Sequence, residues 1–162
     1  MNPLNWQETF DSVGLLYVLE SAPFAASIAV HEKFVWCNEA FLALVRAKDR
    51  SDVIGRANHS FLDPQYLEAA QERVSRLYRG ESNPPMEMRL VRLDGTHVYA
   101  EIRSVPFEAR GKRAYIVLSA DVTDRRATEQ ALRDSEARYR SLVENTPDGI
   151  LIHRDGKPLF VN

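Results

Sequence analysis

Apolar positions along this chain fall into two rhythms. Near the start, Trp6, Phe10, Val13 and Tyr17 recur at helical spacing, with Leu16 and Leu19 beside them. That stripe predicts an amphipathic helix over about 6–20, interrupted at Gly14 and followed by Pro23. Residues 26–37 (ASIAVHEKFVWC) predict two short strands joined at 31–33. The run EAFLALVR (39–46) predicts a short helix, and 51–55 and 60–63 predict single turns. A longer helix then has clear punctuation. Asp63 suits its cap, Pro64 its first position and Gly80 its end, and its apolar stripe includes Leu67, Ala70, Val74 and Leu77.

The period then drops to two. Met86, Met88 and Leu90 alternate with Glu87 and Arg89, and Asp94-Gly95 predicts a two-residue hairpin loop. The partner strand runs from Thr96 to about Phe107. A second turn at 110–112 leads into AYIVLSADV (114–122), which is apolar on both faces. An element must cover its outer side, and the N-terminal helix is the candidate. This order predicts the α+β class: a five-stranded antiparallel sheet with helices on one face, flanked by N-terminal and C-terminal amphipathic helices.

From Asp124 to Asn145 the chain is charged and free of Gly and Pro apart from its flanks. Glu129–Arg133, Asp134–Arg138 and Glu136–Arg140 are acid-before-base pairs four apart, which favours a helix about 33 Å long. Leu132, Ser135, Tyr139 and Leu142 form a 3-4-3 seam suited to a coiled-coil linker, diluted by Ser135 and Thr128. At an offset of 124 residues, 20–38 aligns without gaps on 144–162. Glu20/Glu144, Pro23/Pro147, Ile28/Ile152, Lys33/Lys157 and Asn38/Asn162 coincide. The expectation is a tandem array cut after the second strand of its second unit, with a turn at Asp155-Gly156.

Composition narrows the class. The 162 residues are 44% hydrophobic and 27% charged, with a net charge of −2, as in a globular protein. That balance gives no electrostatic reason to expect nucleic acid or a membrane surface as partner. No run of about 18 apolar residues is present, and the N-terminus lacks signal-peptide features, so a cytoplasmic location is expected. A single cysteine, Cys37, cannot form an internal disulfide or a thiolate metal cluster, and reads as a small buried hydrophobe.

Several stretches resemble the PAS family in its S-box subgroup. They are SAPFAASIAVHEKFVWCNEAF, VIGR (53–56), DPQYLEAAQERVSRLYRGE, MRLVRLDGTHVYAEI, and SADVTDRRATEQALRDSEARYRSLVENTPDGI. The last is the most specific. Asp121-Val122-Thr123 is similar to the family's Asp-Ile-Thr ending of the final strand, before a helix leading into another domain. The resemblance implies a PAS fold at 21–123, preceded by a helix at 1–20. A signalling helix follows at 124–145, and the start of a second PAS domain at 146–162. It implies a sensor rather than a catalyst: a homodimer that holds a small molecule and signals to an output domain of the same parent chain. Such outputs are histidine kinases of two-component systems or cyclic-di-GMP enzymes. The alternative reading is a ligand-free dimerisation or spacer module.

The cofactor is not specified. Family photoreceptors carry a flavin-reactive cysteine where this chain has GRANHSFLDP (55–64), so no cysteinyl–flavin adduct is expected. Oxygen-sensing relatives place a haem-ligating histidine on the long helix, where alignment puts Ala69, so haem is not expected either. His31, His97 and His153 lack companions at ligand spacing, and no metal site is expected. The ligand-pocket candidates are His59, then Tyr66, Ala69 and Arg73 on the helix, and Met88, Leu90, Tyr99 and Ile102 on the strands. A bulge would turn either Met88 or Tyr99 away. Asp121, Thr123 and Arg125, at the strand-to-helix junction, are the candidates for signal transmission: the aspartate can pair with a cation and the threonine can cap the helix.

Overall fold

The computed structural model describes residues 12–109, 112–144, 151–154 and 157–161. It divides into two compact units, Met1–Val122 and Thr123–Asn162. The first contains α1 (Ser12–Glu20), β1 (Ala25–Val30), β2 (Lys33–Cys37) and α2 (Glu39–Val45). Then come 3-10 turns at Arg50–Asp52 and Pro64–Tyr66, α3 (Leu67–Tyr78), β3 (Asn83–Val91), β4 (His97–Ala109) and β5 (Lys112–Asp121). The second contains α4 (Thr123–Glu144) and a hairpin of β6 (Leu151–Arg154) and β7 (Lys157–Val161). The turn at Asp155-Gly156 lies outside the described residues.

The five strands form one antiparallel sheet in the order β2-β1-β5-β4-β3. Its inner face receives α2, α3 and the intervening turns. The core there joins Phe34 on β2, Phe41 on α2 and Phe61 before α3, whose rings lie 5.4 to 6.0 Å apart in tilted and edge-on pairs. Val45, Val53, Met88, Leu90 and Val98 pack around them. Gly55, at φ +86°, turns the 53–56 segment back onto β2, where its N–H donates to the Phe34 carbonyl at 2.8 Å.

Several boundaries differ from those expected. The β3–β4 loop has three residues, not two. Arg92 N–H donates to Thr96 O at 2.8 Å and Gly95 N–H to Arg92 O at 2.9 Å, with Gly95 at φ +81°. A positive-φ glycine after a turn absorbs the strand twist, so Leu93, Asp94 and Gly95 all belong to the loop. Asp63 caps the 3-10 turn at Pro64–Tyr66, accepting from Gln65 N–H at 3.1 Å, and α3 proper starts at Leu67. Of the N-terminal stripe, Trp6 and Phe10 lie outside the described residues. Tyr17 is exposed, whereas Leu19 is buried.

One buried side chain ties the start of this unit together. Asn38 is fully buried. Its Oδ1 accepts from Ala26 N–H and Phe41 N–H, each at 2.9 Å, so it anchors β1 and caps α2 at once. Its Nδ2 donates to Leu19 O at 2.9 Å and Phe24 O at 3.0 Å, which fixes the end of α1 and the loop beyond it. Every hydrogen-bonding atom of this carboxamide is used.

Candidate functional site: a cavity between the sheet and α3

Alternation along the central strands decides what faces α3. Ser27 on β1 lies opposite Val117 on β5, Val117 opposite Ser104 on β4, and Ser104 opposite Asn83 on β3. Ser119 lies two residues further along β5, beside Ala25 and Ile102. Three serines thus occupy inward positions where a filled core would carry larger apolar groups. The space they leave is a cavity of about 80 Å³. Ser27, Ser104, Val117 and Ser119 form its floor. Phe34, Phe41, Phe61 and Leu62 enclose one side, Ala70, Val74 and Leu77 of α3 the other.

Polar bonding on this floor is incomplete. Ser27 has no exposed surface, and its hydroxyl has no hydrogen-bond partner among the described residues. Asn83 Nδ2 donates to Arg73 O at 2.9 Å and to Ser104 Oγ at 3.1 Å, but its Oδ1 likewise has no partner there. A buried hydroxyl without a bond costs about 1–3 kcal/mol, so this arrangement opposes stability.

The far end of the cavity is closed by Asn58, whose Nδ2 donates to the Tyr115 hydroxyl. Burial pushes the Tyr115 phenol well above its ordinary pKa, with the neighbouring Tyr78 and Glu32 adding to the effect. Tyr115 is therefore a neutral group there. Beside the cavity runs a groove of about 320 Å³ between the 58–62 segment and α3. Asn58, Leu62, Ala70 and Val74 line both spaces, so the two adjoin along these side chains.

Four of the candidates, Arg73, Met88, Leu90 and Ile102, line the cavity. His59 lies in the outer groove and is exposed. Ala69 gives way to its neighbour Ala70, which carries the inward position on α3. Tyr66 packs against the core without reaching the cavity. Tyr99 pairs with Arg89 on β3, while its neighbour Ala100 pairs with the buried Met88, so Tyr99 faces the opposite side of the sheet. Arg73 has a particular task. Pro84 and Pro85 interrupt the β3–β4 ladder between Asn83 and Met86, and the guanidinium donates to Pro84 O at 2.9 Å and Ile102 O at 3.1 Å at that break. Burial, then the nearby Arg76, lowers its pKa.

The wall over the cavity is held from β3. Leu62 bridges Leu90, and Asp63 N–H donates to Arg89 O at 3.0 Å. Arg89 returns the contact, donating to Asp63 Oδ2 from Nε at 2.9 Å and Nη2 at 2.6 Å. The Gln65 N–H and then Arg89 hold the Asp63 carboxyl below the usual carboxylate range.

At the other end of the sheet, Asp121 closes β5 and pairs with Arg92 at 3.6 Å. Arg92 Nε also donates to Leu44 O at 2.9 Å, at the end of α2. Sequence reasoning missed Arg92, which links α2, β3 and the last residue of β5. Val122 N–H donates to Tyr99 O at 2.9 Å, Thr123 opens α4, and Arg125 lies 3.9 Å from Glu129. Among the described residues no group of three or more His, Cys, Asp or Glu could hold a metal ion. No described helix is long and apolar enough to cross a membrane.

The chain is 30% identical over 145 residues to sporulation kinase A of Bacillus subtilis (strain 168), covering 90% of this chain and 24% of that protein's length. Among solved structures, the PAS domain of an HTR-like protein from Haloarcula marismortui matches at 25% identity and a TM-score of 0.58, covering 71% of this chain and 93% of that one. An RNA-binding light-oxygen-voltage receptor matches at 22% identity and a TM-score of 0.64, covering 87% of this chain and 41% of that one. A family model described as PAS domain matches residues 137–162. Another, described as PAS fold, matches residues 20–127, the sheet, the cavity and the junction together, and the chain belongs to that family.

Proposed function

We propose that this chain is the sensory part of a histidine-kinase-type signalling protein and is not itself catalytic. A small molecule held in the inner cavity alters the Arg92–Asp121 contact, and α4 carries the change to an output domain. The observation that carries this reading is the cavity of about 80 Å³ between the sheet and α3, with Ser104, Ser119 and Asn58 among a mainly apolar lining. Kinship with a sporulation kinase supports the kinase class over a cyclic-di-GMP enzyme. The match of 137–162 to a PAS domain supports a tandem arrangement. On α4, Leu132, Tyr139 and Leu142 are 60%, 69% and 61% exposed at coiled-coil spacing, which supports a homodimer through this helix.

One set of NMR samples tests the proposal. Ala70→Leu fills the cavity from α3 and mimics occupancy without touching the junction. It is expected to shift the amide signals of Arg92 and of Val122–Arg126, and the diffusion rate is expected to be that of a dimer. Unchanged signals at those amides contradict the coupling. Diffusion of a monomer at high micromolar concentration contradicts the dimer.

A further inference from the structure

We infer that the space between the sheet and α3 takes a monocarboxylic acid with an apolar tail, its carboxylate held by Arg73. The inference rests on the reading of this cavity as the sensing site and adds the chemistry of the ligand.

Charge points to an acid. Arg73 is the one charged residue in the cavity lining, and it is half-buried there. It forms no ion pair among the described residues. Arg76, one turn further along α3, places a second cation near it and is itself paired with Glu81 at 3.2 Å. An unpaired cation beside apolar groups is costly, and an opposite charge relieves the cost. No carboxylate of this chain lines the cavity to supply that charge.

The donors agree with the charge. A guanidinium carries five N–H donors and no acceptor. Pro84 O at 2.9 Å and Ile102 O at 3.1 Å engage one donor each of Arg73, so others remain for an oxyanion. Ser104 lies two residues beyond Ile102 on the same face of β4. Asn83 ties it to α3, donating from Nδ2 to both Ser104 Oγ and Arg73 O. Ser104 Oγ accepts that bond, which leaves its own O–H to donate. A guanidinium and a hydroxyl together suit the two oxygens of a carboxylate. A phosphate monoester carries nearly twice the charge, and one cation does not balance it.

The rest of the lining suits a tail. Phe34, Phe61, Leu77 and Met88 present apolar surface. The cavity adjoins the groove along Leu62 and Val74, so the tail is free to continue that way and the inner volume does not set its length. Glu32 lines the groove and disfavours the reverse orientation, with the acid outermost.

The test is an NMR titration of the whole chain with hexanoate, hexan-1-ol and hexylammonium, repeated on Arg73→Gln, which keeps an N–H donor and removes the charge. Hexan-1-ol is the more easily desolvated, so a preference for hexanoate reports the cation. Hexanoate is expected to bind wild type at least about tenfold more tightly than the other two, moving the Arg73 Nε–H signal and the amides of Ile102 and Ser104. Arg73→Gln should bind hexanoate no more tightly than hexan-1-ol. Ala70→Leu should abolish binding and serves as the check that the signals report the cavity. Hexan-1-ol or hexylammonium binding wild type as tightly as hexanoate, or an unchanged preference in Arg73→Gln, overturns the acid assignment and leaves a ligand-binding cavity standing. Should Arg73→Gln bind neither, the ranking in wild type decides alone. Binding of none of the three to wild type overturns both the assignment and the cavity as a sensing site.

Discussion

Two buried polar groups on the first unit's sheet behave in opposite ways. At Asn38 the carboxamide makes four hydrogen bonds and leaves no atom unused. At Ser27, on the neighbouring strand, the hydroxyl makes none among the described residues. Both side chains have no exposed surface, so burial alone does not distinguish them. Bonding does. Asn38 joins α1, β1 and α2 and belongs to the architecture. Ser27 makes no side-chain hydrogen bond among the described residues, and its hydroxyl is sealed from solvent-sized molecules. A fully satisfied buried polar network specifies a structure, and an unsatisfied buried group costs stability.

The sharpest way to break this comparison is Asn38→Ala. It would leave the Ala26 and Phe41 N–H groups and the Leu19 and Phe24 carbonyls short of their partner in a buried position. A loss of about 3–5 kcal/mol in urea unfolding is expected. A loss within about 1 kcal/mol would mean that water or a shifted backbone replaces the carboxamide.

A smaller effect comes from the residue before it. Cys37 is fully buried, and burial raises its thiol pKa to about 11 from an ordinary 9.0. The folded state therefore holds the thiol proton at pH values where the unfolded chain releases it. Stability from this group is complete below about pH 9 and declines as pH rises towards about 11. The loss should reach at most about 2–3 kcal/mol, and Cys37→Ala should flatten that limb of the stability profile. An alkaline limb identical in the variant would assign the decline to other groups.

Local chemistry made much of the fold readable. Alternation of Met86, Met88 and Leu90, the charge pairs of 124–145 and the Asp-Val-Thr ending each lie within a few residues of sequence. The structure bears out the α+β sheet that these features implied. The cavity was only half legible. Arg73, Met88, Leu90 and Ile102 were readable because they lie on strands and a helix with clear periods. Tyr99 was not, since its facing depends on the pairing of Arg89 with Tyr99 across two strands, and Ala69 missed the inward position by one residue. The serines were hidden for a different reason. Ser27 and Ser119 stand in the apolar runs AASIAV and AYIVLSADV, where a lone small polar residue reads as a tolerated substitution, and Ser104 stands among the charged residues of its strand. Only the registers Ser27–Val117 and Val117–Ser104 reveal that they share one floor. Arg92 pairs with Asp121 across the sheet, and nothing local to either residue announces that contact.

The central claim is that the Asn38 carboxamide belongs to the architecture and the Ser27 hydroxyl does not, and the stability of Ser27→Ala tests it most directly. Removing an unbonded buried hydroxyl relieves a desolvation cost and breaks no contact. Urea unfolding of ligand-free protein is predicted to show the variant as stable as wild type, or more stable by up to about 1 kcal/mol. A loss of about 2 kcal/mol or more would show that the hydroxyl is bonded within the folded protein. Ser27 would then be a second Asn38, and the distinction between the two would fail.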